Sequence, residues 1–208
     1  EAIRFIEQDS SKQFYLSFWP FTPHVKEEAA EKYRHLYQGY TEQEKTYYGC
    51  ITQMDDQIGR LFNYLKKNKL WDNTIIIFAS DNGPEPPVNI YQHSEARRGS
   101  TGPFRGAKHV LYEGGIRVPA IVRWPGLSKN ASISSIPVAD VDIFQTLCRH
   151  LNAEIPKNWK FDGGDFRPAL QNKPIERPHA LYWECAYSAN TFVGPSFCSP
   201  PLAIRDGR

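Results

Sequence analysis

The run Thr74-Ile75-Ile76-Ile77-Phe78-Ala79 is the stretch that most restricts the folds open to this chain. It is β-branched, uncharged and uninterrupted, with none of the apolar–polar alternation of a half-solvated strand. Such a run suits a strand buried on both faces, as in a parallel sheet covered by helices. Ser80-Asp81-Asn82-Gly83 closes it with turn-forming residues.

The neighbouring segments extend this into an α/β order. Residues 1–8 have loosely helical spacing. Phe14 to Trp19 is a short aromatic run that reads as a second buried strand, ended by Pro20 and Pro23. A polar helical stretch covers about residues 27–37. Thr41-Glu42-Gln43-Glu44 is a capping box. The helix it starts carries Tyr47, Ile51, Met54, Ile58, Leu61, Phe62 and Leu65 on one face, with Lys66 and Lys67 near its C-terminal end. After the apolar strand comes a long loop over about residues 84–115. Then follow a strand at Pro119 to Trp124 and a helix from Asp140 to Leu151 with Val141, Phe144, Leu147 and Cys148 inward. Short strands are expected at Ala180 to Glu184 and Leu202 to Arg205.

Charge removes some functions. With 25 basic and 23 acidic residues the net charge is +2, which gives no footprint for nucleic acid or an anionic membrane. An anionic ligand must then be held by a few placed cations. No apolar run is long enough to span a bilayer. The four cysteines, Cys50, Cys148, Cys185 and Cys198, have no metal-finger spacing and leave the redox compartment open. Glu1-Ala2-Ile3-Arg4 reads as mid-helix rather than a leader, and 202–208 as a strand running into a turn. The chain is therefore expected to be an internal piece of a longer protein, and a missing leader says little about localisation.

Chemistry in open α/β sheets gathers beyond the C-terminal ends of strands. Asp81 and Asn82 sit there and offer a carboxylate and an amide oxygen, the hard ligands that Ca²⁺ or Mg²⁺ takes. Asp-Asn-Gly is also a common turn tripeptide. His24 follows the other predicted strand. An imidazole titrating near neutrality can protonate a leaving oxygen, and it can equally be a loop histidine bonded to backbone. Lys108 lies in Arg105-Gly106-Ala107-Lys108, ahead of Glu113-Gly114-Gly115-Ile116-Arg117-Val118-Pro119. It is a compact charge suited to an anionic oxygen, or one of the charges of a solvated loop. Asp55-Asp56 is a poor metal pair, because adjacent helical residues diverge by about 100°. It reads as helix surface or a helix contact. His93, Glu95, Arg97 and Arg98 read as a solvated loop.

Together these segments resemble the sulfatase family. FYLSFWPFTPH (residues 14–24) resembles the strand leading to that family's active-site histidine. YGCITQMDDQIGRL (48–61) is similar to its central helix, and TIIIFASDNG (74–83) to the strand carrying its metal-binding Asp-Asn pair. GPFRGAKHVLYEGGIRVPAIVRWPG (102–126) is the closest match. Asp162-Gly163-Gly164-Asp165-Phe166 and Leu202-Ala203-Ile204-Arg205-Asp206-Gly207 resemble later landmarks.

The resemblance implies an alkaline-phosphatase-like α/β fold with a mostly parallel, helix-flanked sheet, incomplete at both ends. Residues 1–179 would belong to the catalytic domain, and 180–208 would begin a smaller C-terminal sheet. It implies that Asp81 and Asn82 ligate Ca²⁺ (or Mg²⁺), that Lys108 binds a sulfate oxygen, and that His24 contacts the ester and protonates the leaving alcohol. The substrate would be a sulfated small molecule or glycan, more often a carbohydrate, in a secreted, periplasmic or lysosomal protein. Sulfatases use a formylglycine made within C/S-x-P/A-x-R; no cysteine here heads that pattern, and Ser94-Glu95-Ala96-Arg97-Arg98, which fits it by residue type, lies downstream of where the family nucleophile belongs. Cys198-Ser199-Pro200-Pro201-Leu202 has Leu where Arg belongs, and the family nucleophile lies upstream. The fragment alone is expected to be inactive. Two alternatives stay open: a phosphate or phosphonate ester hydrolase of the same superfamily, and a non-catalytic binder of sulfated glycans.

Overall fold

The computed structural model describes residues 1–8, 12–24, 26–85, 99–185 and 200–207. His93, Glu95, Arg97, Arg98 and Cys198 lie outside the described residues. The chain divides into two compact units, one running to Thr74 and the other beginning at Ile75.

The first unit holds α1 (Ala2–Gln8), α2 (Glu31–Arg34) and α3 (Glu42–Lys67). The capping box forms: the Glu44 amide donates to Thr41 Oγ1, and the Thr41 amide donates to Glu44 Oε2. Gly49 lets α2 approach α3, since a Cβ there would meet the Ala29 Cβ at 3.1 Å and the Arg34 amide nitrogen at 3.3 Å. Tyr33 Oη then donates to Asp56 at 2.5 Å, so of Asp55-Asp56 the second residue is a helix contact. Phe62 packs edge-on against Trp71, just beyond the α3 C-terminus.

Residues 12–21 form no strand, and Tyr15, Trp19 and Phe21 are exposed. The expected second buried strand is thus not found. Aromatic content favours a strand only where a ladder partner satisfies the backbone, and the described part of this unit contains no strand to provide one.

The second unit holds β1 (Ile76–Ala79), α4 (Glu113–Ile116), β2 (Ala120–Arg123), α5 (Asp140–His150), β3 (Leu181–Glu184) and β4 (Leu202–Arg205). β1 pairs with β2 from Ile76↔Arg123 to Ala79↔Ala120, and β3 pairs with β4 from Leu181↔Arg205 to Glu184↔Leu202. Both pairs are antiparallel, which corrects the expectation of a mostly parallel sheet among the described residues. An uninterrupted apolar run specifies burial but carries no direction. Direction comes from the connection, and the chain leaving β1 returns along the same edge. β1 is also less buried than its composition suggests, with Ile76 and Ile77 half-buried and Phe78 40% exposed.

The core of this unit centres on Trp124 and Phe166, whose rings meet edge-on with centroids 6.0 Å apart. α5 buries a polar face instead of the expected apolar one: Asp142, Gln145 and Thr146 are inside, whereas Val141 and Phe144 are exposed. The reason is a network that satisfies the Asp142 carboxylate and the Thr146 hydroxyl. Asp142 Oδ1 accepts from the Gly164 amide (2.7 Å) and Arg177 Nε (2.9 Å). Its Oδ2 accepts from the Ala139 amide (2.8 Å) and Arg177 Nη2 (2.5 Å). Thr146 Oγ1 accepts from the Phe166 amide at 2.9 Å and donates to the Asp142 carbonyl. The glycines of Asp162-Gly163-Gly164-Asp165 make this approach possible: a Cβ on Gly163 would lie 2.1 Å from the Val141 carbonyl oxygen.

Candidate functional site

The site is built on glycine. Beyond β1 the chain turns through Ser80-Asp81-Asn82-Gly83, where Ser80 Oγ donates to the Asn82 carbonyl at 2.9 Å. The Gly83 amide donates to the Gly115 carbonyl at 2.8 Å, and the Lys108 amide donates to the Pro84 carbonyl at 2.8 Å. This backbone contact is too close for side chains. A Cβ on Gly83 would stand 1.8 Å from the Gly114 carbonyl oxygen, and one on Gly115 would stand 2.1 Å from that of Val110. Gly106, at φ +83°, turns the loop so that Gly114 can donate to the Arg105 carbonyl at 2.7 Å. Gly114 and Gly115 lie within the single turn of α4. Glu113 at its start accepts from Arg117 Nη1 at 2.9 Å and from Arg205 Nη1 of β4 at 3.0 Å.

These clamps bring the Lys108 backbone to Pro84, two residues beyond Asn82. Asn82 Nδ2 donates to the Gly83 carbonyl at 2.9 Å, which orients the amide. Among the described residues no hydrogen bond or ion pair neutralises the Asp81 carboxylate. Its charge is felt at Asp140, the first residue of α5. Burial, then Asp81, then Asp142 push the Asp140 carboxyl above its ordinary range. A carboxylate and an adjacent amide oxygen beside excess negative charge fit a hard divalent cation. They supply part of a shell of about six to eight oxygens, and among the described residues no cluster of three or more His, Cys, Asp or Glu side chains completes one.

His24 lies in the other unit. Its amide donates to the Phe21 carbonyl at 2.9 Å, and its ring lies 5.1 Å from the Phe21 ring.

Sequence reasoning missed Glu85 and His109. Glu85 stands 3.6 Å from Lys108 Nζ and 3.3 Å from His109 Nε2. The two segments are too far apart in sequence for any local pairing rule to join them. Only the glycine clusters on both sides signalled that the strands of backbone meet.

An acid–amide pair at a strand end lies close to the backbone of a loop that carries a lysine, and these residue types suit a hard cation and an oxyanion. Comparison with known proteins gives this class a family. The Sulfatase family model matches residues 1–153. The chain is 29% identical to human (Homo sapiens) steryl-sulfatase over 179 residues, 86% of this chain and 30% of that protein. It is 39% identical to the N-acetylgalactosamine-6-O-sulfatase of Bacteroides thetaiotaomicron over 126 residues, 59% of this chain and 24% of that protein. It superposes on the crystal structure of Ps i-CgsB in complex with k-i-k-neocarrahexaose with a TM-score of 0.73 at 28% identity, covering 87% of this chain and 39% of that one. The chain belongs to the sulfatase family, and its α/β fold is part of the alkaline-phosphatase-like fold of such proteins. It spans between 21% and 33% of the length of the curated relatives it matches.

Proposed function

We propose that this chain is part of an enzyme that hydrolyses a sulfate monoester on a carbohydrate. The observation that supports this most is the clamp that ties the Lys108 backbone to Pro84, two residues beyond Asn82, in a chain of this family. Sulfated carbohydrates are favoured as substrates because the similar proteins include an N-acetylgalactosamine-6-O-sulfatase and a structure holding a neocarrahexaose.

The role of each residue is the one that the family resemblance implies, and its chemistry suits that role. Asp81 and Asn82 hold Ca²⁺, with Mg²⁺ as the smaller candidate. A divalent cation there polarises the sulfuryl oxygens. Lys108 takes a sulfate oxygen and stabilises charge that develops as the S–O bond breaks. His24 gives its proton to the departing alkoxide, a contribution of about 10²–10⁴-fold. The nucleophile, a formylglycine, comes from a segment outside this chain, so the chain alone does not turn over. Residues 1–179 contribute to the catalytic domain and 180–208 to a smaller sheet, of which β3 and β4 are the described strands. Among the described residues no helix is long and apolar enough to cross a membrane. By family the whole protein is secreted, periplasmic or lysosomal.

A second reading is a non-catalytic binder of sulfated glycans, because no cysteine of this chain heads the C/S-x-P/A-x-R pattern. The deciding experiment is an assay of the whole protein on sulfated sugars and on the matching phosphate and phosphonate esters, with Asp81→Ala as control. The enzyme reading expects sulfate release by the wild type, and expects Asp81→Ala to lose bound metal and turnover together. Glycan binding without turnover would favour the second reading. Faster cleavage of phosphate or phosphonate esters would reassign the reaction.

A further inference from the structure

Lys108 and His109 are neighbours in sequence, and one carboxylate serves both. Glu85 Oε2 lies 3.6 Å from the Lys108 ammonium, and Glu85 Oε1 lies 3.3 Å from His109 Nε2. The three side chains are largely withdrawn from solvent, at 13% exposure for Glu85, 23% for Lys108 and 17% for His109. His109 holds φ +77°, a left-handed conformation uncommon for a residue other than glycine. Its carbonyl also accepts from Cys185 Sγ at 3.6 Å, so the imidazole that meets Glu85 is carried by a tied-down backbone.

We propose that Glu85 sets the charge of the anion that Lys108 accepts, removing the advantage that the ammonium alone would give a doubly charged phosphoryl ester over a singly charged sulfuryl ester. This rests on the assignment of Lys108 to the sulfate oxygen made above.

The reasoning is Coulombic. A lone ammonium attracts a dianion about twice as strongly as a monoanion at the same distance. A carboxylate beside that ammonium repels the dianion about twice as strongly and cancels the advantage. Partial burial keeps both effects from being screened away. A sulfate monoester carries a single charge, whereas a phosphate monoester approaches a double charge above its second pKa of about 6. His109 matters because it retains the carboxylate after the ammonium has turned to its ligand.

The test titrates methyl sulfate and methyl phosphate, at about pH 8 where the phosphate is dianionic, into the whole protein and its variants. Binding is read from the amide NMR signals of Gly83, Lys108 and Gly115. Glu85→Gln is expected to shift the ratio of affinities toward methyl phosphate by about tenfold, or ~1.4 kcal/mol. Glu85→Asp retains the charge and is expected to keep most of the wild-type ratio, and Lys108→Ala to weaken both probes. An unchanged ratio in Glu85→Gln while Lys108→Ala weakens both probes would overturn the role of Glu85 alone. Lys108→Ala without effect on either probe, or no binding of either probe to the wild type, would overturn it together with the Lys108 assignment.

Discussion

The amide of Lys108 donates to the carbonyl of Pro84 at 2.8 Å, three residues beyond Asp81. Two weak sequence signals, a turn tripeptide and a loop lysine, thereby become one site. The contact depends on backbone meeting backbone, and the glycines permit it.

Gly83→Ala should therefore break the clamp. Its Cβ would lie 1.8 Å from the Gly114 carbonyl oxygen, and the partner is main chain that cannot rotate away. Overpacking of this kind typically costs about 1–3 kcal/mol. Denaturant unfolding should show that loss, and the Lys108 amide should lose hydrogen-exchange protection. An unchanged midpoint with retained protection would mean the loop has room that the geometry denies.

The buried ion pair between Asp142 and Arg177 supports the second unit. Asp142 is fully buried, and Arg177 meets it with two donors. Arg177→Met leaves that carboxylate without its charge partner, which usually costs about 3–5 kcal/mol. Asp142→Asn should cost less, because the amide is uncharged and can still accept from the Gly164 amide. Thermal melting of both variants checks the order, and the reverse order would contradict the account.

Much of this architecture was legible in the sequence, and the misses share a cause. The capping box located α3 to the residue, because Thr41 and Glu44 are local partners. β1, β2, β3, β4 and α5 also fell within a residue or two of their expected positions. Strand direction was not legible, since it is a property of the connection. Nor was the buried polar face of α5: Asp142 and Thr146 look solvent-facing until Arg177 and the 163–166 backbone supply their partners. Asp81, Asn82 and Lys108 could be picked by residue type and position after a strand, but Glu85 could not, because nothing local marks a carboxylate that pairs with Lys108 across the loop.

Asp140 provides a pH test. Its carboxyl lies above the ordinary value of 3.8, chiefly through burial and next through the Asp81 charge. The folded chain thus holds that proton more tightly than the unfolded chain. This contribution to stability is full below the ordinary value and is lost as pH rises through the folded one. Asp81→Asn should lower the Asp140 pKa without returning it fully to normal, and saturating Ca²⁺ should lower it as well. Carbon-detected NMR titration of the carboxyl groups measures both. An Asp140 titration indifferent to Asp81 would contradict the placement of the two carboxylates.

Cys50 should behave as an inert thiol. Burial, followed by the Glu27 charge, pushes it from 9.0 up to about 11, and only the thiolate reacts readily. Alkylation near pH 8 should label Cys148 and Cys185, which are partly exposed free thiols, well before Cys50. Cys50 should react only as the chain unfolds. Early labelling of Cys50 would show that α3 is not packed as described.

The most direct test of the whole account uses Mn²⁺ as a paramagnetic substitute for the proposed divalent ion. Added to the whole protein, it should broaden the NMR signals of Gly83 and Lys108, and Asp81→Ala should abolish the effect. A sharp Lys108 signal in the presence of bound Mn²⁺, or broadening that survives Asp81→Ala, would contradict a site that joins the Asp81-Asn82 turn to the Lys108 loop.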